Sequence, residues 1–316
     1  MSKLLDDVKA SLRLKRYAYS TEQSYIHWIL KFILFHNKRH PREMGAVEIG
    51  KFLTHLADKK HVSASTQNQA LQAIRYLYKF LRIDVGNIDF ARARREVHLP
   101  SLLTREEVTR LIASFSDAQH RLMAMLCYSG GLRLIECLAL RIKDIDLDNL
   151  RVTLRETKSN IDRYTIISNK LVEPLKAQIA KSKSVYESDV KAKTVGVYLP
   201  DALERKYPNA AREFAWFWLF PSHNLSKAPR SGKIRRHHMH ETGLQKAIVT
   251  ARKKAKITKP ASVHVLRHCF ATHFLERGGN INDLRSMMGH KDLKTTMIYL
   301  HGTEISGKTI KSPLDD

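Results

Sequence analysis

Apolar positions recur with a helical period along most of the chain. Behind Ser20 and Gln23, which fit a capping box, Tyr25, Trp28, Ile29 and Phe32 fall at i, i+3, i+4 and i+7 and make one apolar stripe. The spacing predicts a second helix from Val47 to Leu56. A third follows the polar run Ser63, Ser65, Thr66, with Leu71, Ile74, Leu77, Tyr78 and Leu81 on one face and Arg75, Lys79 and Arg82 elsewhere. Residues 1–85 thus read as a helical bundle. The pattern breaks from Asp84 to Pro100, where Gly86, Asn87 and Pro100 accompany the basic cluster Arg92, Arg94 and Arg95, so residues 86–103 read as a basic interdomain linker.

From Thr104 the helical period resumes. TREEVTRLI offers a Thr cap with acids in the first turn, where they complement the helix dipole. Helices around Arg121 to Tyr128 and Leu132 to Leu140 precede two β-rich runs, Arg151 to Arg155 and Tyr164 to Ile167. These bracket the polar stretch ETKSNIDR as a hairpin with Lys158 on its loop. A lysine-rich helix spans about Lys170 to Lys191. Beyond it lie the aromatic, Pro-punctuated VYLPDALERKYPNAAREFAWFWLFPS and the strongly basic KAPRSGKIRRHHMHE. The remainder is helical: Asn280 caps a short helix that Gly289 ends, and a polar tail follows Gly302. The expected fold class is mainly α with a small β-hairpin or sheet, in two domains.

Charge narrows the choice of partner. In 316 residues, 55 basic against 31 acidic side chains leave +24 with histidines neutral. With 43% hydrophobic and 8% aromatic residues the chain folds, so the charge sits on folded faces. Such an excess suits a polyanion whose counterions are released on binding; nucleic acid leads, ahead of an anionic membrane surface. No apolar run reaches the roughly 18 to 20 residues of a membrane span and the start lacks a secretory signal, so a soluble cytoplasmic chain is expected. Cys127, Cys137 and Cys269 lie inside apolar helical patterns and read as reduced core thiols.

Three local groups could carry chemistry. His264, Arg267 and His268 share one helix face at i, i+3, i+4, which suits a phosphate or a solvated surface; no HExxH is present, and a guanidinium beside a divalent ion would be repelled. Arg133 follows a Gly-Gly turn at a helix start, as a phosphate ligand or a surface arginine, with Glu136 as its partner. His290 follows the turn at Gly289, and Tyr299, between Ile298 and Leu300, reads locally as core.

Taken together, GGLRLIECLAL, HVLRH, MGH and TTMIYLHG, in this order and near these separations, resemble the tyrosine site-specific recombinase (phage integrase) family. The resemblance covers residues 104–302, and the preceding bundle resembles the family's core-binding domain. It implies Arg133 and Arg267 as phosphate-clamping arginines, His264 as the first histidine of H-x-x-R, and His290 where the family uses His or Trp. Lys158 becomes the hairpin lysine and general acid, Tyr299 the nucleophile, and His268 a supporting residue. The turn departs from the family's GKGxKxR: in TKSNIDR only Lys158 and Arg163 survive. The implied reaction forms a 3′-phosphotyrosyl intermediate with no cofactor, metal or small-molecule substrate.

The segment from about 197 to 222, followed by IRRHHMHE, is most similar to the insert of the integron integrases. That implies recombination of gene cassettes through folded single-stranded hairpins as well as a duplex platform site. Trp216, Trp218, His237 and His238 are then candidates to stack on or hold an extrahelical base, with Arg235, Arg236, Arg163, Arg94 and Arg95 as DNA contacts. The family also implies four protomers on two DNA sites, with residues 303–316 docking on a neighbour, and a nucleoid-associated location. The competing readings are a phage-type or chromosome-resolving recombinase on duplex sites, a type IB topoisomerase-like nicking enzyme, a decayed DNA-binding relative, and a histidine-rich zinc hydrolase.

Overall fold

The computed structural model describes residues 2–94, 102–155, 162–194, 196–199, 201–290, 292–297 and 299. Lys158, Arg95 and the tail from 303 to 316 lie outside these. The chain divides into two compact units, Met1–Leu99 and Pro100–Asp316.

The first unit is four helices: α1 (Ser2–Leu14), α2 (Tyr19–Phe35), α3 (Ala46–Asp58) and α4 (Ala64–Leu81). Trp28, Ile29 and Phe32 of the expected stripe are buried, as are Ile74, Leu77 and Tyr78 of α4. Ser63 caps α4, accepting from the Thr66 N–H at 3.3 Å. Ser20 does not cap α2. The helix starts one residue earlier behind Ala18, whose side chain can accept nothing.

The stretch expected to be a linker from residue 86 is, through residue 93, packed on this unit. Gln67, buried on α4, donates to Ala91 O at 2.8 Å and accepts from the Ala93 N–H at 2.9 Å, while Thr54 Oγ1 accepts from the Ala91 N–H at 3.1 Å. Ile88 is buried and Asp89 O closes on Gly50. A side-chain amide copies a strand partner here, which the broken apolar pattern does not reveal.

In the second unit α5 (Arg105–Ala113) carries the expected Thr104 cap, completed by Glu107 as a capping box. Helix α6 (Ala118–Ser129) runs into the Gly-Gly turn, and α7 (Leu134–Leu138) is only five residues long. Strands β1 (Ile145–Asp146), β2 (Arg151–Leu154) and β3 (Arg163–Ile166) form an antiparallel sheet in which Val152 faces Thr165 and Leu154 faces Arg163. Then come α8 (Val172–Lys191), α9 (Asp201–Lys206) and a two-stranded ribbon, β4 (Pro221–Lys227) with β5 (Ile234–His238). Helices α10 (Glu241–Lys254), α11 (Val263–Glu276), α12 (Ile281–Met288) and α13 (Leu293–Met297) complete it. The core gathers α5, α6, α10 and α11 around Leu122, Met123, Leu244 and Leu266; the three cysteines are free and buried. Periodicity does not predict the ribbon, because IRRHH shows no apolar alternation.

Candidate active site

Local chain chemistry explains how the site is held. Gly131 sits at φ +63°, and a Cβ there would overlap the Phe270 ring, so the turn before α7 accepts only glycine without strain. That turn aims the Gly131 carbonyl at Arg267, which donates to it at 2.5 Å. Gly289 ends α12 at φ +63°, leaving Met288 O free to accept from Arg267 at 2.6 Å. Arg267 is 2% exposed and is thereby fixed between two chain reversals. Burial, and then the charge of Arg133, lower its pKa to about 10, so it stays a cation at neutral pH.

Arg133 is not in the first turn of α7 but at its N-cap, with extended backbone. Its N–H donates to Glu136 at 2.8 Å and its guanidinium to the same carboxylate at 2.6 Å, leaving the side chain 41% exposed. Glu136 therefore holds both the helix start and the guanidinium. It also meets Arg163 at 2.7 Å and Arg267 at 3.8 Å, so one carboxylate faces three arginines. Burial works to raise the Glu136 pKa, but Arg163 and both donors of Arg133 outweigh it and hold the carboxyl below its usual value. Arg163, expected to touch DNA, is 6% exposed; its Nε donates to Met287 O at 2.9 Å and its side chain lies against Gly289. It ties β3 to the turn that carries His290, so its guanidinium is engaged inside the protein rather than displayed on the surface expected to meet DNA.

The imidazoles form a chain leading to the phenol. His264 meets His268 edge-on at 4.3 Å between ring centres, His268 lies 5.3 Å from Tyr299, and His290 stacks on Tyr299 at 6.2 Å and 13°. Burial first, then the neighbouring positive groups, push His268 and His290 down to about 4, so both are neutral near pH 7. His264 is lowered for the same reasons. Tyr299 is 7% exposed among Phe270, Ala271, Leu284 and Met288, which accounts for its core-like neighbourhood. Burial raises its pKa against the pull of Arg267 and Arg133. Without DNA the phenol keeps its proton, because desolvation outweighs guanidinium attraction.

The expected DNA contacts in the insert fare differently. Arg236 is committed to Asp189 at 2.5 and 2.9 Å and to the carbonyls of Ser222 and His223, and Arg235, 2% exposed, to Glu204 at 2.5 Å. Trp218 is 4% exposed and donates its indole N–H to Arg236 O at 3.0 Å, with Arg141 over its ring at 4.0 Å. In the structure without DNA these three act as struts, not as the exposed DNA contacts expected: their hydrogen-bond partners lie 13 to 47 residues away and are invisible to local reading. His238 is held edge-on to Trp218 and bonded to Met239 O at 2.7 Å. Trp216 stays half-buried, with Lys143 over one face at 2.8 Å and Tyr207 at 6.3 Å. His237 is half-buried and stacks on Tyr198 at 6.4 Å; Arg94 is exposed. Two side chains that sequence reading missed are Arg141, whose guanidinium ties Trp216 O to Tyr198 O, and Thr296, hydrogen-bonded to His290 at 3.0 Å.

Comparison with known proteins places this geometry. Residues 101–304 match the phage integrase family, and residues 4–84 its N-terminal SAM-like domain. An integrase/recombinase of Escherichia coli is 42% identical over 315 residues, covering 99% of this chain and 93% of that protein. Tyrosine recombinase XerD of Agrobacterium fabrum is 26% identical over 308 residues, covering 91% and 86%. The fold is shared with XerH recombinase bound to difH substrate in a pre-cleavage complex, at TM-score 0.62 and 18% identity over 96% of this chain and 82% of that one.

Proposed function

The chain belongs to the phage integrase family and is a tyrosine recombinase that cuts and rejoins DNA by transesterification, and on that premise we propose a role for each side chain and a class of substrate. Tyr299 is the nucleophile. Arg133 and Arg267 clamp the non-bridging oxygens of the scissile phosphate, where planar donors match the geometry and need no metal. His290 is a further phosphate ligand, and His268, whose ring adjoins the phenol, takes its proton as a neutral base, with His264 behind it. Attack on phosphorus makes a 3′-phosphotyrosyl ester and releases the 5′-oxygen, to which Lys158 delivers a proton. The partner strand's 5′-hydroxyl reverses the step, so the bond energy is conserved and no nucleotide is consumed.

The observation that carries this reading is the convergence of two guanidiniums, three imidazoles and the phenol, joined by contacts from Arg133 through Glu136 and Arg267 to His290 and Tyr299. Tyr299→Phe should bind a nicked suicide substrate and form no covalent adduct; an adduct at wild-type yield would remove the nucleophile assignment.

For the substrate, the reading is an integron integrase that exchanges gene cassettes as folded hairpins, working as a tetramer on two sites in the nucleoid. Its support is the aromatic insert, which leaves Trp216 and His237 half-buried rather than sealed, with Arg94 exposed on the other unit. A second reading, a recombinase of duplex sites, is favoured by the burial of Trp218, Arg235 and Arg236, three of the six insert side chains expected to meet DNA. Recombination of bottom-strand hairpin, top-strand hairpin and duplex cassette sites separates the two. Preference for the bottom-strand hairpin, lost in Trp216→Ala, supports the first; equal duplex use with no effect of Trp216→Ala supports the second.

A further inference from the structure

Hydrogen bonds on opposite edges of His290 fix where its proton sits. Arginine has no acceptor, so the 3.3 Å contact between Arg267 Nη2 and His290 Nε2 is a donation into the Nε2 lone pair. Burial and the charges of Arg267, Arg133 and Arg163 keep the ring neutral at pH 7, with a single N–H. That N–H is on Nδ1 and donates to Thr296 Oγ1, 3.0 Å away. Thr296 is fully buried, three residues before Tyr299.

In this state the site is not ready for phosphate. Of the two hydrogens on Arg267 Nη2, one goes to Met288 O and the other to His290. A non-bridging oxygen that takes the second leaves the Nε2 lone pair facing an anion. The repulsion ends when a proton leaves Nδ1 and one enters at Nε2, carried by water with no change in net charge. His290 and Arg267 then both donate to the phosphate, and Nδ1 needs a donor of its own. A hydroxyl both accepts and donates, so Thr296 can serve either ring state by turning its O–H.

We propose that Thr296 is a positioning residue whose hydroxyl holds His290 as the Nδ1–H tautomer before DNA binds and supports the Nε2–H tautomer once a phosphodiester occupies the site. The inference rests on His290 being a phosphate ligand, and its test separates the two.

Histidine-selective 15N NMR on the full chain, with His290→Gln to assign the signal, should show the Nδ1–H tautomer in the free wild type and in Thr296→Ser, and a smaller share of it in Thr296→Val, where only Arg267 still selects it. On a nicked suicide DNA that the wild type cleaves, Thr296→Val should keep its affinity within about twofold and lose at least about tenfold in single-turnover cleavage, and Thr296→Ser should recover most of the rate. A free wild-type His290 already protonated at Nε2 overturns the proposal even if Thr296→Val does not fold. So does wild-type cleavage by Thr296→Val, or a Ser variant with the wild-type tautomer that still cleaves as poorly as Val. If His290→Gln cleaves like wild type, the phosphate-ligand reading fails. If His290→Gln is impaired while Thr296→Val is not, only the role of Thr296 falls.

Discussion

Two of the arginine–carboxylate clusters in the catalytic unit are built in different proportion. In the cage, Glu136 faces Arg133, Arg163 and Arg267 at once. In the insert, Arg236 has Asp189 and Arg235 has Glu204, with Lys233 only skirting Glu204 at 3.8 Å. Desolvating a guanidinium costs several kcal/mol unless a carboxylate and carbonyls compensate it. In the insert each guanidinium has a carboxylate of its own, although the buried Nε of Arg235 finds no hydrogen-bond partner, and the result is a strut. In the cage one carboxylate is shared among three guanidiniums, an excess of cations that on the proposed reading suits a phosphodiester. Burial of an arginine therefore says little about its role; the ratio of cations to carboxylates around it says more.

The sharpest test of this contrast is Arg267→Lys, which keeps the charge and loses the planar fork. Single-turnover cleavage should fall about 10³-fold with DNA affinity nearly unchanged, and equal losses in both would make the cage a mere binding surface. Next in size, Asp189→Ala should cost about 3 kcal/mol in urea unfolding by stranding Arg236, whereas Asp189→Leu with Arg236→Met should cost about 1 kcal/mol or less. If the double change is as harmful as the single one, the insert pair does more than brace. A smaller effect follows from the shared carboxylate: sulfate at about ten times its Kd should stabilise the catalytic unit by about 1.4 kcal/mol, about 4 °C in Tm, and do so far less in Arg267→Lys. A wild type indifferent to sulfate would mean that the cage is balanced without an anion. An effect of similar size comes from the histidines. Below an unfolded pKa of about 6.5 the unfolded chain takes up protons that His268 and His290 refuse until about 4, so acid favours unfolding through that window. The pair should lose about 1.4 kcal/mol between pH 7 and 6, about 4 °C in Tm, and about half of that in His268→Asn.

The cage was legible in the sequence because its members come as spaced motifs: a Gly-Gly turn before Arg133, His264 and Arg267 one helical turn apart, His290 behind a helix-ending glycine. Helices also showed themselves wherever apolar periodicity was strong, as in α4 with its Ser63 cap. What stayed hidden depends on partners distant along the chain. IRRHH carries four basic residues and looks like a surface, yet Asp189 and Glu204, 47 and 31 residues upstream, draw both arginines inward. Residues 86–93 look like a linker because nothing apolar repeats there, and the bonds that dock them come from Gln67 and Thr54. Arg163 opens β3 directly after the polar stretch with Lys158, and only the fold shows that it faces Met287 and Glu136.

The guanidinium of Arg267 bonds to a carbonyl 136 residues earlier and to another 21 residues later. A polypeptide still emerging from the ribosome has Arg133 long before it has the second arginine, and both long before the phenol. On the proposed roles, scission is therefore the last competence this molecule acquires during synthesis, and a copy terminated before Tyr299 lacks the group that cuts.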